Sequence, residues 1–275
     1  MKRLIVITGP TASGKTALAV KLAREYGCDV ISADSRQIYA GIPIVTAQPS
    51  EEEKGGVRHH LIGHLPLDTY YSAAEFEQDA LKLISRQFET QDIAIVCGGS
   101  MMYVDALCYG IDELPSIPAD FREELKIELA EKGSEWLLAT LKLLDPDYYS
   151  RVDLKNIKRI FHAVEISLYS GKPYSSLLTG RRKKRPFEIE KRVIEMPREE
   201  LFGRINRRVD IMVKAGLEEE ARSVYHLKGL NSLNTVGLKE MFAWFEGRMK
   251  REEAIGRIKK NTRVFAKKQL AWLKR

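Results

Sequence analysis

Hydrophobic positions run almost unbroken through three short segments of the first hundred residues: RLIVIT (3–8), DVISAD (29–34) and DIAIVCGG (92–99). Runs of this kind predict strands buried on both faces of a parallel sheet. Between them the period changes. ALAVKLAREYG, from Ala17 to Gly27, is apolar at helical spacing and ends on glycine, so it predicts a helix. Ser72 and Glu75 form a capping box that opens a second helix before the third strand. The resulting βαβαβ pattern implies a parallel sheet covered by helices.

After Gly110 the strand signal stops. IPADFREELKIELAEKG (117–133) and SEWLLATLKLLDP (134–146) read as helices, and no strand candidate follows until RPFEIEKRVIEM (185–196). The last eighty residues are again helical in pattern: PREELFGRINRRVDIMVKAG (197–216), LEEEARSVYHLKG (217–229), LKEMFAWFEG (238–247) and a long basic helix running to Arg275. RRKKRP (181–186) is the best loop candidate. The expected architecture is α/β: a P-loop NTPase-like parallel sheet flanked by helices, with a small helical insertion domain. The core comprises residues 1–109 and 181–275, and the insertion residues 110–180.

Size and charge sharpen this picture. A chain of 275 residues can bury a sizeable core and carry a second small domain. Lys2-Arg3 precedes only a short apolar run that breaks at Gly9-Pro10, which reads as a strand and not as a signal peptide, and no transmembrane segment is expected. Cys28, Cys97 and Cys108 have neither metal nor disulfide spacing, as expected for reduced packing cysteines in a cytoplasmic protein. The net charge of +7 is unevenly divided, with −9 over residues 1–154 and +16 over residues 155–275. Basic clusters RRKKR (181–185), RINRR (204–208) and RIKKNTRVFAKK (257–268) make a nucleic acid the expected partner of the second half.

The first turn of the chain carries the chemistry. GPTASGKT, from Gly9 to Thr16, has the pattern G-x-x-x-x-G-K-[ST] between a strand and a helix. Its residues, Gly9, Pro10, Thr11, Ala12, Ser13, Gly14, Lys15 and Thr16, are expected to wrap backbone N–H groups around phosphate. Lys15 adds a positive charge, and the Thr16 hydroxyl is placed to ligate Mg²⁺. ATP- and GTP-hydrolysing enzymes carry an acid at the end of a second strand beside the metal. The third strand here ends in VCGGS, without an acid. The acid instead ends the second strand, at Asp34, followed by Ser35-Arg36-Gln37. Strand ends gather beside the phosphate loop, so Asp34 faces the phosphate. Two roles fit it: holding Mg²⁺ through water, or taking a proton from a nucleophile.

GPTASGKT, ISADSRQIYAG, TAQP (46–49), His59-His60-Leu61-Ile62, VCGGSMMY, DLKNIKR (153–159) and the terminal KKQLAWLKR together, in this order, resemble the tRNA dimethylallyltransferases. The resemblance implies transfer of a dimethylallyl group from its diphosphate to the exocyclic amine of the adenosine 3′ of the tRNA anticodon. It implies that the P-loop grips an isoprenoid diphosphate and not ATP, which accounts for the missing strand-end acid. It makes Asp34 the base, with Lys15 and Arg204 stabilising the leaving diphosphate and Arg208 one helical turn further on. Ser35 and Gln37 match positions that hold the flipped base. With Arg36 they form the tRNA-facing set, together with Ser100, Arg122, Asn156, Ile157, Lys158, Arg159, Ile160, Thr235 and Gly237. The sequence departs from the usual family pattern at VTAQP, GGSMMY, HAVE (162–165) and Leu238. His59 and His60 would point to opposite faces of an extended segment, so one buried, hydrogen-bonded histidine is expected and not a metal pair. The expected partners are tRNA and dimethylallyl diphosphate, the cofactor Mg²⁺, and the state a monomer. A P-loop small-molecule or nucleotide kinase is the alternative, and a non-catalytic RNA-binding protein with a relic loop the second.

Overall fold

The computed structural model describes residues 1–274, and Arg275, the expected end of the last helix, lies outside the described residues. A five-stranded, all-parallel sheet is built from β1 (Arg3–Thr8), β2 (Val30–Ser32), β3 (His59–His60), β4 (Ile93–Cys97) and β5 (Glu188–Val193), in the order β3-β2-β4-β1-β5. The α/β expectation holds, with one addition. β3 is only two residues long and has no periodicity to read; it exists because it pairs with Val30 and Ile31 of β2. His59 and His60 are both half-buried and both hydrogen-bonded, His59 Nδ1 with the Val57 carbonyl (2.9 Å) and His60 Nε2 with Asp29 (2.8 Å), where a single such histidine was expected.

Helices cover the sheet. α1 (Lys15–Tyr26) ends at Gly27 in the left-handed conformation. Two single-turn helices follow, α2 (Pro43–Thr46) and α3 (Glu51–Lys54). α4 (Ala73–Thr90) carries the expected capping box between Ser72 and Glu75, and α5 (Met101–Tyr109) follows β4. The central strands are sealed: Leu4, Ile5, Val6, Ile7, Ile31 and Ile95 are fully buried. At roughly 25 cal/mol per Å² of apolar surface, this burial is the main force holding the sheet in place.

Gly110–Lys183 form one compact unit, and Met1–Tyr109 with the segment from Lys184 form the other. The first comprises α6 (Ala119–Leu144), α7 (Pro146–Arg151), α8 (Ile157–Ser170) and α9 (Tyr174–Leu177) around Leu137, Leu141, Ile160 and Val164. Gly133 interrupts α6 with φ 77° and ψ 177°, so the two sequence-predicted helices meet there at a kink. The sheet-bearing unit closes with α10 (Arg198–Lys214), α11 (Leu217–Ser223), α12 (Leu238–Phe245) and α13 (Arg251–Leu273). The expected helix 217–229 stops at Ser223 and gives way to a 3₁₀ turn at Tyr225–Leu227. No described helix is long and apolar enough to cross a membrane.

Candidate active site

The loop from Gly9 to Gly14 leaves the end of β1 and enters α1 at Lys15. Ala12 and Gly14 both adopt positive φ, 64° and 93°. This left-handed geometry turns successive N–H groups inward, at an energetic cost for Ala12 that a packed surrounding must offset. Lys15 folds back over the loop and donates from Nζ to the carbonyls of Pro10 (2.8 Å) and Gly9 (3.1 Å). Thr8 Oγ1 and Ser13 Oγ are buried beside it without a hydrogen-bond partner.

Strand order matters to the placement of Asp34. β4 lies between β1 and β2, so Asp34 follows a strand that is not the immediate neighbour of β1. It reaches the loop because the turn after β4 has no side chains in the way. A Cβ at Gly98 would collide with the Ala33 carbonyl, so only glycine lets the end of β2 lie against the end of β4. Ala33 N–H donates to the Cys97 carbonyl (2.9 Å), and Ser100 N–H to the Ala33 carbonyl (3.2 Å). Asp34 Oδ1 accepts the backbone N–H groups of Arg36 (2.9 Å) and Gln37 (3.3 Å), which holds the turn after β2. Its Oδ2 has no hydrogen bond among the described residues.

Four ionisable groups share this end of the sheet. Burial pulls the Lys15 ammonium below its ordinary 10.5, opposed by Cys97 and Asp34 and reinforced by Arg208. Burial likewise pulls the Arg208 guanidinium below its ordinary value, opposed by Asp34 and Glu53. Cys97, at the end of β4, is pushed up to about 11 by burial, and Lys15 offsets part of that rise. The strand end that carries an acid in nucleotide hydrolases is therefore a neutral thiol here, and the only nearby carboxylate among these groups is Asp34. Two half-buried cations, Lys15 and Arg208, act together with Asp34 at this end of the sheet, an arrangement that favours a polyanionic ligand.

Arg208 was only a secondary candidate in the sequence, because helical spacing does not distinguish it from Arg204. Its Nη1 donates to Thr11 Oγ1 (3.2 Å) and its Nη2 to the Ala47 carbonyl (3.3 Å). Arg204 lies over the loop, with Nη2 3.6 Å from the point where a Gly14 Cβ would stand. Its side chain is 40% exposed and within 3.7 Å of Glu200.

Several expected tRNA-facing residues have internal partners. Arg36 Nη1 donates to the carbonyls of Asn231 (2.7 Å) and Ser232 (3.2 Å). Gln37 Nε2 donates to the carbonyls of Ala47 (2.8 Å) and Thr46 (3.2 Å). Ser35 and Ser100 bond to each other. Gly237 has φ 104° against Val45, and its N–H is taken by Glu240 Oε2 (2.7 Å), just after Thr235. In the insertion unit, Arg122 makes a two-point pair with Glu165 (2.8 and 3.3 Å), and Asn156 caps α8. Ile157 is half-buried, while Lys158 and Arg159 are exposed. Ile160, the next residue after Arg159, is at 0% exposure, and its side chain belongs to the core of its unit.

No group of three or more His, Cys, Asp or Glu side chains fit to hold a metal occurs among the described residues.

The chain can be placed among known proteins by comparison. The profile of the IPP transferase family matches residues 37–275. The tRNA dimethylallyltransferase 1 of Bacteroides thetaiotaomicron is 48% identical over 275 residues, covering all of this chain and 89% of its own length. The crystal structure of the tRNA Δ(2)-isopentenylpyrophosphate transferase of Staphylococcus epidermidis superposes with a TM-score of 0.70 at 33% identity, over 100% of this chain and 90% of that one. A eukaryotic dimethylallyltransferase acting on tRNA superposes with a TM-score of 0.83 at 26% identity, over 99% of this chain and 70% of that one. By sequence along its whole length and by fold, the chain belongs to the IPP transferase family, whose curated members matched here are tRNA dimethylallyltransferases.

Proposed function

We propose that this protein transfers the dimethylallyl group of dimethylallyl diphosphate to the exocyclic N6 amine of the adenosine 3′ of the anticodon, position 37 of the tRNA. One observation carries the reading. A phosphate cradle with two half-buried cations, Lys15 and Arg208, faces the Asp34 carboxylate in the turn after β2, while β4 ends without an acid.

The chemistry follows from the groups. The loop from Gly9 to Thr16 binds the diphosphate, and Lys15, Arg208 and Arg204 stabilise the charge that grows on it as the C1–O bond breaks. The five-carbon tail is worth about 4 kcal/mol when buried, at ~0.8 kcal/mol per CH₂, so most affinity comes from the diphosphate. The adenine leaves its stack to reach the site. Its amine attacks C1, the N–C bond forms, and the amine proton passes to Asp34 Oδ2. An exocyclic adenine amine is a poor nucleophile, because its lone pair is delocalised into the ring, so a carboxylate placed to take its proton assists the attack. Mg²⁺ fits an all-oxygen site made of the Thr16 hydroxyl and the diphosphate, where it would supply charge neutralisation. Exposed Lys158 and Arg159 suit contact with the tRNA backbone. The loop, Asp34 and both arginines come from a single chain, so a cytoplasmic monomer is sufficient for the reaction.

The test is mass spectrometry of tRNA after incubation with the protein, dimethylallyl diphosphate and Mg²⁺. The expected product is adenosine 37 carrying one dimethylallyl group in place of one hydrogen. Rapid ATP consumption without tRNA, and no modified nucleoside, would instead identify a kinase.

A further inference from the structure

Gln269 sits on α13, 258 residues from the loop it touches. It is 3% exposed, although its helix is otherwise rich in solvent-facing lysine and arginine. Both ends of its amide are used. Oε1 accepts the backbone N–H of Thr11 at 2.8 Å, and Nε2 donates to the carbonyl of Gly99 at 2.9 Å. A Cβ at Gly99 would stand against Gln269 Nε2, so the bare glycine backbone leaves room for the amide. Thr11 is also held by Arg208 through its hydroxyl. One residue further along, Ser100 holds the turn that carries Asp34. A single buried amide thus bridges the phosphate loop and the β4 turn, the two segments that set the distance between cradle and base.

We infer that Gln269 is a positioning residue: it holds the phosphate loop in its anion-binding shape before the diphosphate arrives. The inference rests on the functional reading above. Thr11 N–H is taken by Gln269 and Ser13 N–H by the Pro10 carbonyl (3.3 Å), so the diphosphate draws on the other N–H groups of the loop. Without the amide, the half-buried Thr11 N–H loses its protein partner, and the loop must be ordered at the moment of binding, which weakens affinity. Trp272 provides an internal control. It lies on the same helix and donates from Nε1 to Asp105 at 2.8 Å, so it docks α13 without touching the loop.

The experiment measures inorganic pyrophosphate affinity by calorimetry, and KM and kcat for dimethylallyl diphosphate, in wild type, Gln269→Met and Trp272→Phe. Methionine keeps the length and packing but neither hydrogen bond. Loss of a buried hydrogen bond of this kind predicts about tenfold weaker pyrophosphate binding and a matching rise in KM for Gln269→Met. Its tRNA affinity should stay within about twofold, and Trp272→Phe should keep wild-type pyrophosphate affinity even where its melting temperature falls. Pyrophosphate affinity of Gln269→Met equal to wild type overturns the inference and leaves the functional reading intact. A wild-type protein that binds no pyrophosphate overturns that reading, and this inference with it. Amide hydrogen exchange of Thr11 in the ligand-free wild type decides the matter even if Gln269→Met does not fold: slow exchange is expected, and exchange at the rate of an open loop overturns the inference.

Discussion

The Ser100 hydroxyl accepts the backbone N–H of Ser35 at 2.8 Å and donates to the Ser35 hydroxyl at 3.1 Å, joining two turns 65 residues apart in the chain. This link fixes the residue next to Asp34 to the end of β4. Catalysis by a positioned base is sensitive to displacements of about 1 Å. Ser100→Ala should lower kcat about tenfold and leave pyrophosphate affinity within about twofold. Single-turnover kinetics with saturating tRNA measures this, and an unchanged rate would remove Ser100 from the positioning of the base.

Asp34 does two things, and a substitution can separate them. Asparagine keeps the Oδ1 acceptor for the Arg36 and Gln37 N–H groups and removes the base. Asp34→Asn should therefore fold and bind tRNA normally while turnover falls by about 10²- to 10⁴-fold. A gel-shift titration alongside the transfer assay separates the two effects. Near-normal turnover would assign the proton to another acceptor.

The two arginines of α10 should differ. Arg208 is bonded to Thr11 and Ala47 beside the cradle, whereas Arg204 is partly exposed and close to Glu200. Lysine cannot reproduce the guanidinium fork. Arg208→Lys should lower kcat/KM for dimethylallyl diphosphate about a hundredfold, and Arg204→Lys by about tenfold or less. The reverse order would place the main diphosphate contact on Arg204.

Lys15 makes binding pH-dependent. Burial pulls its pKa below the ordinary 10.5, so the free protein loses this charge earlier on the alkaline side than an exposed lysine does. The charged form is the one that binds anions. Pyrophosphate affinity should therefore fall as pH rises, beginning below 10.5, and binding there should be accompanied by proton uptake. Calorimetry in buffers of different ionisation enthalpy reads both quantities. A flat profile up to that value would show that Lys15 does not carry the charge.

The Arg122–Glu165 pair predicts stability in the insertion unit. Burial alone would raise the Glu165 carboxyl, but hydrogen bonds from His162 and Arg122 outweigh it and hold the group below 4.5. The Glu165 side chain is 4% exposed. Glu165→Gln removes the negative charge from the pair with Arg122 and should cost about 1.5–3 kcal/mol, the range for hydrogen bonds to charged groups. Because the folded-state pKa is depressed, this contribution is complete above 4.5 and is lost as pH falls through the folded value. Urea unfolding should show a wide gap between wild type and variant at neutral pH that closes in acid. A gap that does not change with pH would assign the loss to packing.

Much of the molecule is decided by local sequence. The apolar runs at Arg3–Thr8 and Ile93–Cys97 read as strands buried on both faces, the capping box at Ser72 starts α4, and GPTASGKT between a strand and a helix marks an anion loop. These follow from periodicity, capping and backbone freedom, which act over a few residues. Three further features have no local signature. β3 exists only because β2 offers it an edge, and Ile160 is inside only because α8 turns that face toward Leu137 and Leu141. Gln269 and Arg208 reach the phosphate loop only because α13 and α10 pack beside it. In each case the deciding partner lies far away in the chain, and proximity created by folding leaves no trace in the spacing of nearby residues.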